Sequence, residues 1–114
     1  MKYIAKIDFN AISQTAIRNV IASARRYLAK SDPASRHHIE NLVEIYKNLR
    51  RESSRKFVNG RYYFIFDAEI ARKYGEKLSD EIARFIREID ENDETSDATT
   101  TYFREITENL RGEL

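Results

Sequence analysis

The sequence predicts a single α+β domain over residues 1–114, in which a three-stranded antiparallel sheet packs on a helical hairpin and further helices follow at the carboxyl end. Three observations predict it: an amino-terminal run alternates apolar and polar residues, two later stretches repeat apolar residues at helical spacing, and an Asn-Gly pair separates two β-rich runs. A length of 114 residues suits one hydrophobic core.

The first predicted element is a strand over residues 2–9. Aromatic and β-branched residues are frequent in this run, which favours a strand. Successive residues point to opposite faces of a strand, so the alternation predicts one buried face. One side carries Tyr3, Ala5, Ile7 and Phe9, and the other carries Lys2, Ile4, Lys6 and Asp8.

Two helices are predicted next, and together they form a helical hairpin between residues 12 and 53. Asn10 or Ser13 can cap the first helix, which runs to about Lys30, and Asp32 followed by Pro33 is typical of the start of a second. The short turn between them favours antiparallel packing. Their apolar stripes are Ile17, Val20, Ile21, Ala24 and Leu28 in the first helix and Ile39, Leu42, Val43, Tyr46 and Leu49 in the second.

A β-hairpin is predicted over residues 55–66, because Asn59-Gly60 favours a type I′ turn in which both central residues have positive φ. A two-residue loop also fixes the register and places Val58 opposite Arg61. Each face then has a defined set of side chains. One face carries Phe57, Tyr62, Phe64 and Phe66, which we expect in the core, and the other carries Lys56, Val58, Arg61, Tyr63 and Ile65.

The amino-terminal strand is expected to join this hairpin as a third strand, since an isolated hairpin is only marginally stable in water. The outer face of such a sheet would combine cations with the Tyr63 ring, a combination that can stack unpaired bases. Its apolar centre leaves two alternatives open. Either the acidic terminal helix covers this face, or a protein partner or second copy does.

Helical spacing resumes from residue 68 to residue 91, and Asp67 can cap its start. The apolar stripe crosses Gly75, which leaves one long helix or two shorter helices as alternatives. Residues 90–101 are expected to form an acidic, mobile linker before a short terminal helix that Thr100 or Thr101 would cap. The stripes are Ile70, Ala71, Tyr74, Leu78, Ile82, Phe85, Ile86 and Ile89, then Phe103, Ile106 and Leu110.

The composition excludes several classes of function. The chain has no cysteine, so disulfides, thiolate catalysis and cysteine-based zinc sites are excluded. The amino terminus lacks the apolar run of a signal peptide and no run approaches membrane-spanning length, so we expect a soluble, intracellular protein of the cytoplasm. The sequence shows no cofactor loop or metal-ligand motif, and we expect no cofactor, metal or membrane partner.

The net charge of +1 hides two halves of opposite sign. Residues 1–61 hold 13 Lys and Arg against 5 Asp and Glu, whereas residues 62–114 hold 7 against 14. The halves either neutralise each other on folding or serve different partners, and the basic 18–61 region is dense enough to bind RNA or DNA. Candidate nucleic-acid or partner-binding residues are Lys2, Lys6, Arg25, Arg26, Arg50, Arg51, Arg55, Lys56, Arg61 and Tyr63. The helical pair also carries Arg18, Lys30, Arg36 and Lys47.

The leading hypothesis is therefore a small non-enzymatic binding protein, most specifically a nucleic-acid binder. The main alternative is a protein-binding inhibitor or assembly module, such as a viral or plasmid effector, that uses the acidic half or an apolar patch of the sheet. A nuclease using His37, Tyr63 and nearby basic residues ranks third. We assign no catalytic residue, because a solvated surface histidine explains His37 beside Glu40 and Glu44 more simply.

Overall fold

The computed structural model describes residues 13–91 and 97–111. Over these residues the chain is mostly helical, with four helices and one two-stranded antiparallel hairpin, and an α+β class is compatible with this content. The elements are α1 (Gln14–Tyr27), α2 (Pro33–Glu52), β1 (Ser54–Val58), β2 (Arg61–Ile65), α3 (Ala68–Glu91) and α4 (Asp97–Arg111). Within the described part of the chain, no helix is long and apolar enough to cross a membrane.

Side-chain caps begin three of the helices where the sequence predicts them. Ser13 Oγ accepts a hydrogen bond of 3.0 Å from a backbone N–H in the first turn of α1. The Asp32 carboxylate accepts from a first-turn N–H of α2 at 3.2 Å, and Pro33 occupies the first turn of that helix. Asp67 Oδ1 accepts at 2.9 Å in the first turn of α3. These bonds satisfy N–H groups that have no partner inside the helix.

The predicted helical hairpin is confirmed. The Gln14 side-chain amide donates to Ser53 Oγ at 3.1 Å, so the start of α1 lies beside the end of α2 and the two helices run antiparallel. On its other side α1 packs against α4, and α2 packs against α3. The closest helix pairs are therefore α4 with α1, α1 with α2 and α2 with α3, and Tyr102 of α4 also reaches His38 of α2 and Phe85 of α3.

Most of the predicted helical stripes are buried in one apolar core. Burial of each large apolar side chain contributes about 1.5–3 kcal/mol. Tyr102 was not on a predicted stripe, yet it is fully buried as well. The fully buried large apolar side chains are Ile17, Val20, Leu42, Leu49, Leu78, Phe85, Tyr102, Ile106 and Leu110.

Of the two alternatives for the region around Gly75, the structure shows one long helix, α3. Glycine inside a helix costs about 1 kcal/mol relative to alanine, and the continuous apolar stripe of α3 offsets this cost by burial. The predicted linker over 90–101 needs a correction at both ends, because α3 continues through Glu91 and α4 begins at Asp97. Thr101, a predicted cap, lies inside α4, where its hydroxyl donates to the Asp97 carbonyl at 2.9 Å. Residues 92–96 lie outside the described part.

The hairpin has the predicted turn and register. Asn59 has φ 50° and Gly60 has φ 78°, as a type I′ turn requires. The Asn-Gly signal therefore determines this element locally. The paired residues are Ser54 with Ile65, Arg55 with Phe64, Lys56 with Tyr63, Phe57 with Tyr62, and Val58 with Arg61.

The predicted three-stranded sheet packed on the helical hairpin is not supported. The sheet has two strands over the described residues, and residues 2–9 lie outside them. The prediction that one hairpin face lies in the core is wrong for two of its residues. Phe57 is 60% exposed and Phe64 is 38% exposed. Phe66 packs against the core, where it is half-buried. The physical reason is that α3 and α4 already cover the apolar stripes of α1 and α2.

The alternative in which the terminal helix covers the outer face of the hairpin is also wrong. Helix α4 packs on α1 and buries its apolar stripe in the helical core. Its Glu105 carboxylate accepts from Ser23 Oγ of α1 at 2.9 Å. Val58, Tyr63 and Ile65 of the outer face are 38%, 49% and 47% exposed.

Candidate nucleic-acid interface

A groove of about 450 Å³ runs between α1 and α2 and brings four cations together. The lining residues follow the spacing i, i+3, i+4, i+7 on both helices, which places them along one face of each. Antiparallel packing then turns the two faces toward one opening. The lining consists of Arg18, Ile21, Ala22 and Arg25 from α1 and Val43, Tyr46, Lys47 and Arg50 from α2.

The local sequence explains why cations border this groove. Helix α1 turns Ile17, Val20 and Ala24 fully into the core. Arg18 and Arg25 each follow one of these buried residues, so they lie at the border of the apolar stripe. At such borders the long aliphatic part of an arginine packs on apolar surface while its charge stays in water.

The electrostatics of the groove are one-sided. Among the residues that the structure describes, no carboxylate lines it. Within residues 13–91 and 97–111, the salt bridges involve other cations than Arg18, Arg25, Lys47 and Arg50. Four positive charges along one groove create a positive potential that attracts a polyanion.

The hairpin continues the groove through Arg50. This residue lines the groove, and its guanidinium carbon also lies 4.9 Å from the centroid of the Phe64 ring. An arginine over an aromatic face is a cation–π contact, which orients both groups. The cationic groove therefore borders directly on the hairpin face that carries Phe57 and Phe64.

The structure separates the residues that the sequence grouped as one binding region. Arg25 and Arg50 line the groove together. Arg26 points instead to α4, where its guanidinium lies 3.5 Å from Glu105. Lys2 and Lys6 lie outside the described residues. The remaining candidates are exposed but lie outside the groove lining: Arg51 at the end of α2, and Arg55, Lys56, Arg61 and Tyr63 on the hairpin.

Arg18 and Lys47 belong to the groove, although the predicted site residues did not include them. Both were visible as part of the basic surface of the helical pair. A finer signal was available, because Arg18 lies seven residues before Arg25 and Lys47 lies three before Arg50. Residues at these separations share a helix face, whereas adjacent cations such as Arg25 and Arg26 do not.

A second polar site, the buried triad of His38, Glu81 and Tyr102, joins three helices. His38 Nδ1 lies 2.7 Å from Glu81 Oε2, and His38 Nε2 lies 2.6 Å from the Tyr102 hydroxyl. Phe85 stacks on the imidazole ring with centroids 4.2 Å apart and planes within 6°. His38 and Tyr102 have no exposed surface, so no substrate reaches them in this structure. The triad stabilises the packing of α2, α3 and α4.

The protonation of the triad follows from its surroundings. Burial lowers the pKa of His38, and the bond to Glu81 opposes this shift without reversing it. Burial would raise the pKa of Glu81, but hydrogen bonds from His38 and Arg84 outweigh it and hold that pKa well below its usual range. Burial also raises the pKa of Tyr102. Neutral His38 therefore donates from Nδ1 to an anionic Glu81 and accepts at Nε2 from the Tyr102 hydroxyl.

Glu81 has further donors around it. Asn41 donates to Oε1 at 2.9 Å, Arg84 donates to both carboxylate oxygens at 3.0 and 2.6 Å, and Arg84 also pairs with Glu88. This explains how a carboxylate that is only 8% exposed remains charged. The nuclease hypothesis named His37, whereas the buried histidine is His38. A signal for this was available, because His38 lies four residues before the buried Leu42 and thus on the apolar face of α2.

Two other features carry no specific chemistry. A pocket of about 380 Å³ between α2 and α3 mixes three carboxylates with two cations, so it does not favour one ligand charge. Its lining is Asn41, Glu44, Ile45, Asn48, Lys77, Asp80, Glu81 and Arg84. Across the described ranges, no three side chains of His, Asp or Glu lie together as a metal-ligand set. His37 is exposed on α2.

Comparisons of the chain with protein-family models, with curated proteins and with solved structures find no match, so the geometry of the groove carries the functional argument.

Proposed function

We propose that the protein binds nucleic acid, without catalysis, through the groove between α1 and α2. The observation that supports this most directly is the convergence of Arg18, Arg25, Lys47 and Arg50 on one groove, whose described lining contains no carboxylate. Each cation that contacts a phosphate releases condensed counterions, which provides affinity independent of base sequence. The cations contact the sugar-phosphate backbone along the groove.

The salt dependence of binding tests this proposal. Fluorescence anisotropy with a labelled oligonucleotide is measured between about 50 and 200 mM salt. Four phosphate contacts predict that log K falls against log salt with a slope of about −3 on a single strand, since each contact contributes about 0.7. Absence of binding to single and double strands at about 50 mM salt would refute the proposal.

A matched pair of neutralising substitutions locates the site. Arg18→Gln removes one groove cation, so it should reduce the steepness of the slope by about 0.7 on a single strand. Arg87→Gln removes one exposed cation from α3, outside the groove lining, and should leave the slope unchanged. Equal effects of both substitutions would show a general charge effect rather than a groove contact.

A second candidate function, binding of a protein partner, is favoured by one observation on the outer hairpin face. Val58, Tyr63 and Ile65 are all substantially exposed there, on the side opposite to Phe57 and Phe64. Such a patch is typical of association surfaces in a monomer. For a second copy of the chain as the partner, light scattering should give a mass above that of the monomer, and Ile65→Lys should restore the monomer mass.

A further inference from the structure

The hairpin exposes aromatic rings on the face that continues the cationic groove. Residues opposite each other in an antiparallel pair share a face, and alternate residues of a strand do as well. Phe64, which pairs with Arg55, therefore lies on the same side as Phe57. Phe57 is 60% exposed and Phe64 is 38% exposed. Large aromatic side chains are mostly buried in soluble domains, so two exposed rings on one face need a physical explanation.

Arg50 connects this face to the groove. Arg50 lines the groove, and its guanidinium carbon lies 4.9 Å from the centroid of the Phe64 ring. A ligand whose phosphates follow Lys47 and Arg50 along α2 would therefore arrive at the Phe64 ring next. Proteins that bind single strands combine these two features, a cationic path for the backbone and aromatic faces for successive bases.

We propose that the nucleic acid is single-stranded, and that its unpaired bases stack on Phe57 and Phe64 while the groove cations hold its phosphates. This inference rests on the proposed function and adds the class of ligand. A duplex keeps its bases stacked inside the helix and presents only phosphates to the groove, so the two rings contribute to the binding of single strands alone. DNA and RNA share this chemistry.

A comparison of affinities for single strands and for a duplex tests this inference. Anisotropy titrations at about 50 mM salt use single-stranded DNA, single-stranded RNA and a DNA duplex, each of about 12 nucleotides or base pairs. Phe57→Ala and Phe64→Ala are compared with Ile65→Ala, a control that truncates an exposed large side chain on the opposite hairpin face. All three positions are exposed, and circular dichroism verifies that each variant remains folded.

The expected result is a loss of about tenfold in single-strand affinity for each phenylalanine variant, with unchanged duplex affinity and an unchanged salt slope. Ile65→Ala should leave all affinities unchanged. Wild-type binding that neither phenylalanine variant weakens would overturn the inference while leaving the proposed function in place. An equal loss with Ile65→Ala would also overturn it. Wild type that binds none of the three ligands would refute the proposed function itself. If the phenylalanine variants lose affinity for only one of single-stranded DNA and single-stranded RNA, the result supports the inference and shows which of the two the protein binds through its rings.

Discussion

Removing the Tyr102 hydroxyl tests the buried triad with a single-atom change. Tyr102→Phe keeps the ring, which packs at 6.4 Å from Phe85 and 5.5 Å from Phe103 between ring centroids. It deletes only the donor that lies 2.6 Å from His38 Nε2. The substitution therefore isolates one hydrogen bond from the apolar packing around it.

The cost follows from burial. Both His38 and Tyr102 have no exposed surface, so water cannot replace the lost donor without entering the core. A buried acceptor left without a donor costs about 1–3 kcal/mol. Urea unfolding of small domains has a slope of about 1–3 kcal/mol per molar, so the midpoint should fall by roughly 1 M.

The assay is urea denaturation followed by circular dichroism, with Tyr46→Phe as the matched control. Tyr46 is half-buried, and its hydroxyl has no hydrogen-bond partner among the described residues. Its substitution should change stability by no more than about 0.5 kcal/mol. If the two variants unfold at the same urea concentration, the Tyr102–His38 bond does not contribute as the structure indicates.

Two further predictions concern the pH dependence of stability, which the triad determines, and the local stability of the hairpin. Burial lowers the pKa of His38 in the folded state, so its contribution is present above the ordinary histidine pKa of 6.5 and is lost as pH falls below it. The free energy of unfolding should therefore decrease from about pH 7 to pH 5, by at most about 1.4 kcal/mol per pH unit from this group. His38→Gln should flatten this dependence in denaturation curves, whereas His37→Gln should keep it; an equal profile for both variants would contradict the assignment. Gly60→Ala should cost about 1–2 kcal/mol locally, because Gly60 has φ +78° although space for a methyl group is open. Hydrogen exchange should then accelerate in β1 and β2 with the helical core unchanged, and unaltered hairpin exchange would show that the turn does not limit its stability.

Local patterns predicted the secondary structure well where the physical cause is itself local. The caps at Ser13, Asp32 and Asp67 and the turn at Asn59-Gly60 each depend on a few neighbouring residues. Whether a face is buried depends instead on which elements pack against it. The hairpin face with Phe57 and Phe64 has the pattern of a core strand, yet it is exposed because the helices bury one another.

The candidate site shows the same division. The sequence predicted Arg25 and Arg50 as binding residues, and helical spacing could have added Arg18 and Lys47 to that prediction. Only the packing of α1 against α2 shows that these four share a groove, and only the packing of α4 against α1 turns Arg26 toward Glu105.

The sequence by itself determined the helices, the hairpin turn and its register, and the excess of positive charge before residue 62, because propensity, capping and composition act within a few residues. The tertiary structure decided which histidine is buried, which cations meet and which aromatic rings stay in water. His38 meets Glu81 and Tyr102 across 43 and 64 residues of chain. Such pairings are set by helix packing over the whole core, and no window of neighbouring residues contains them.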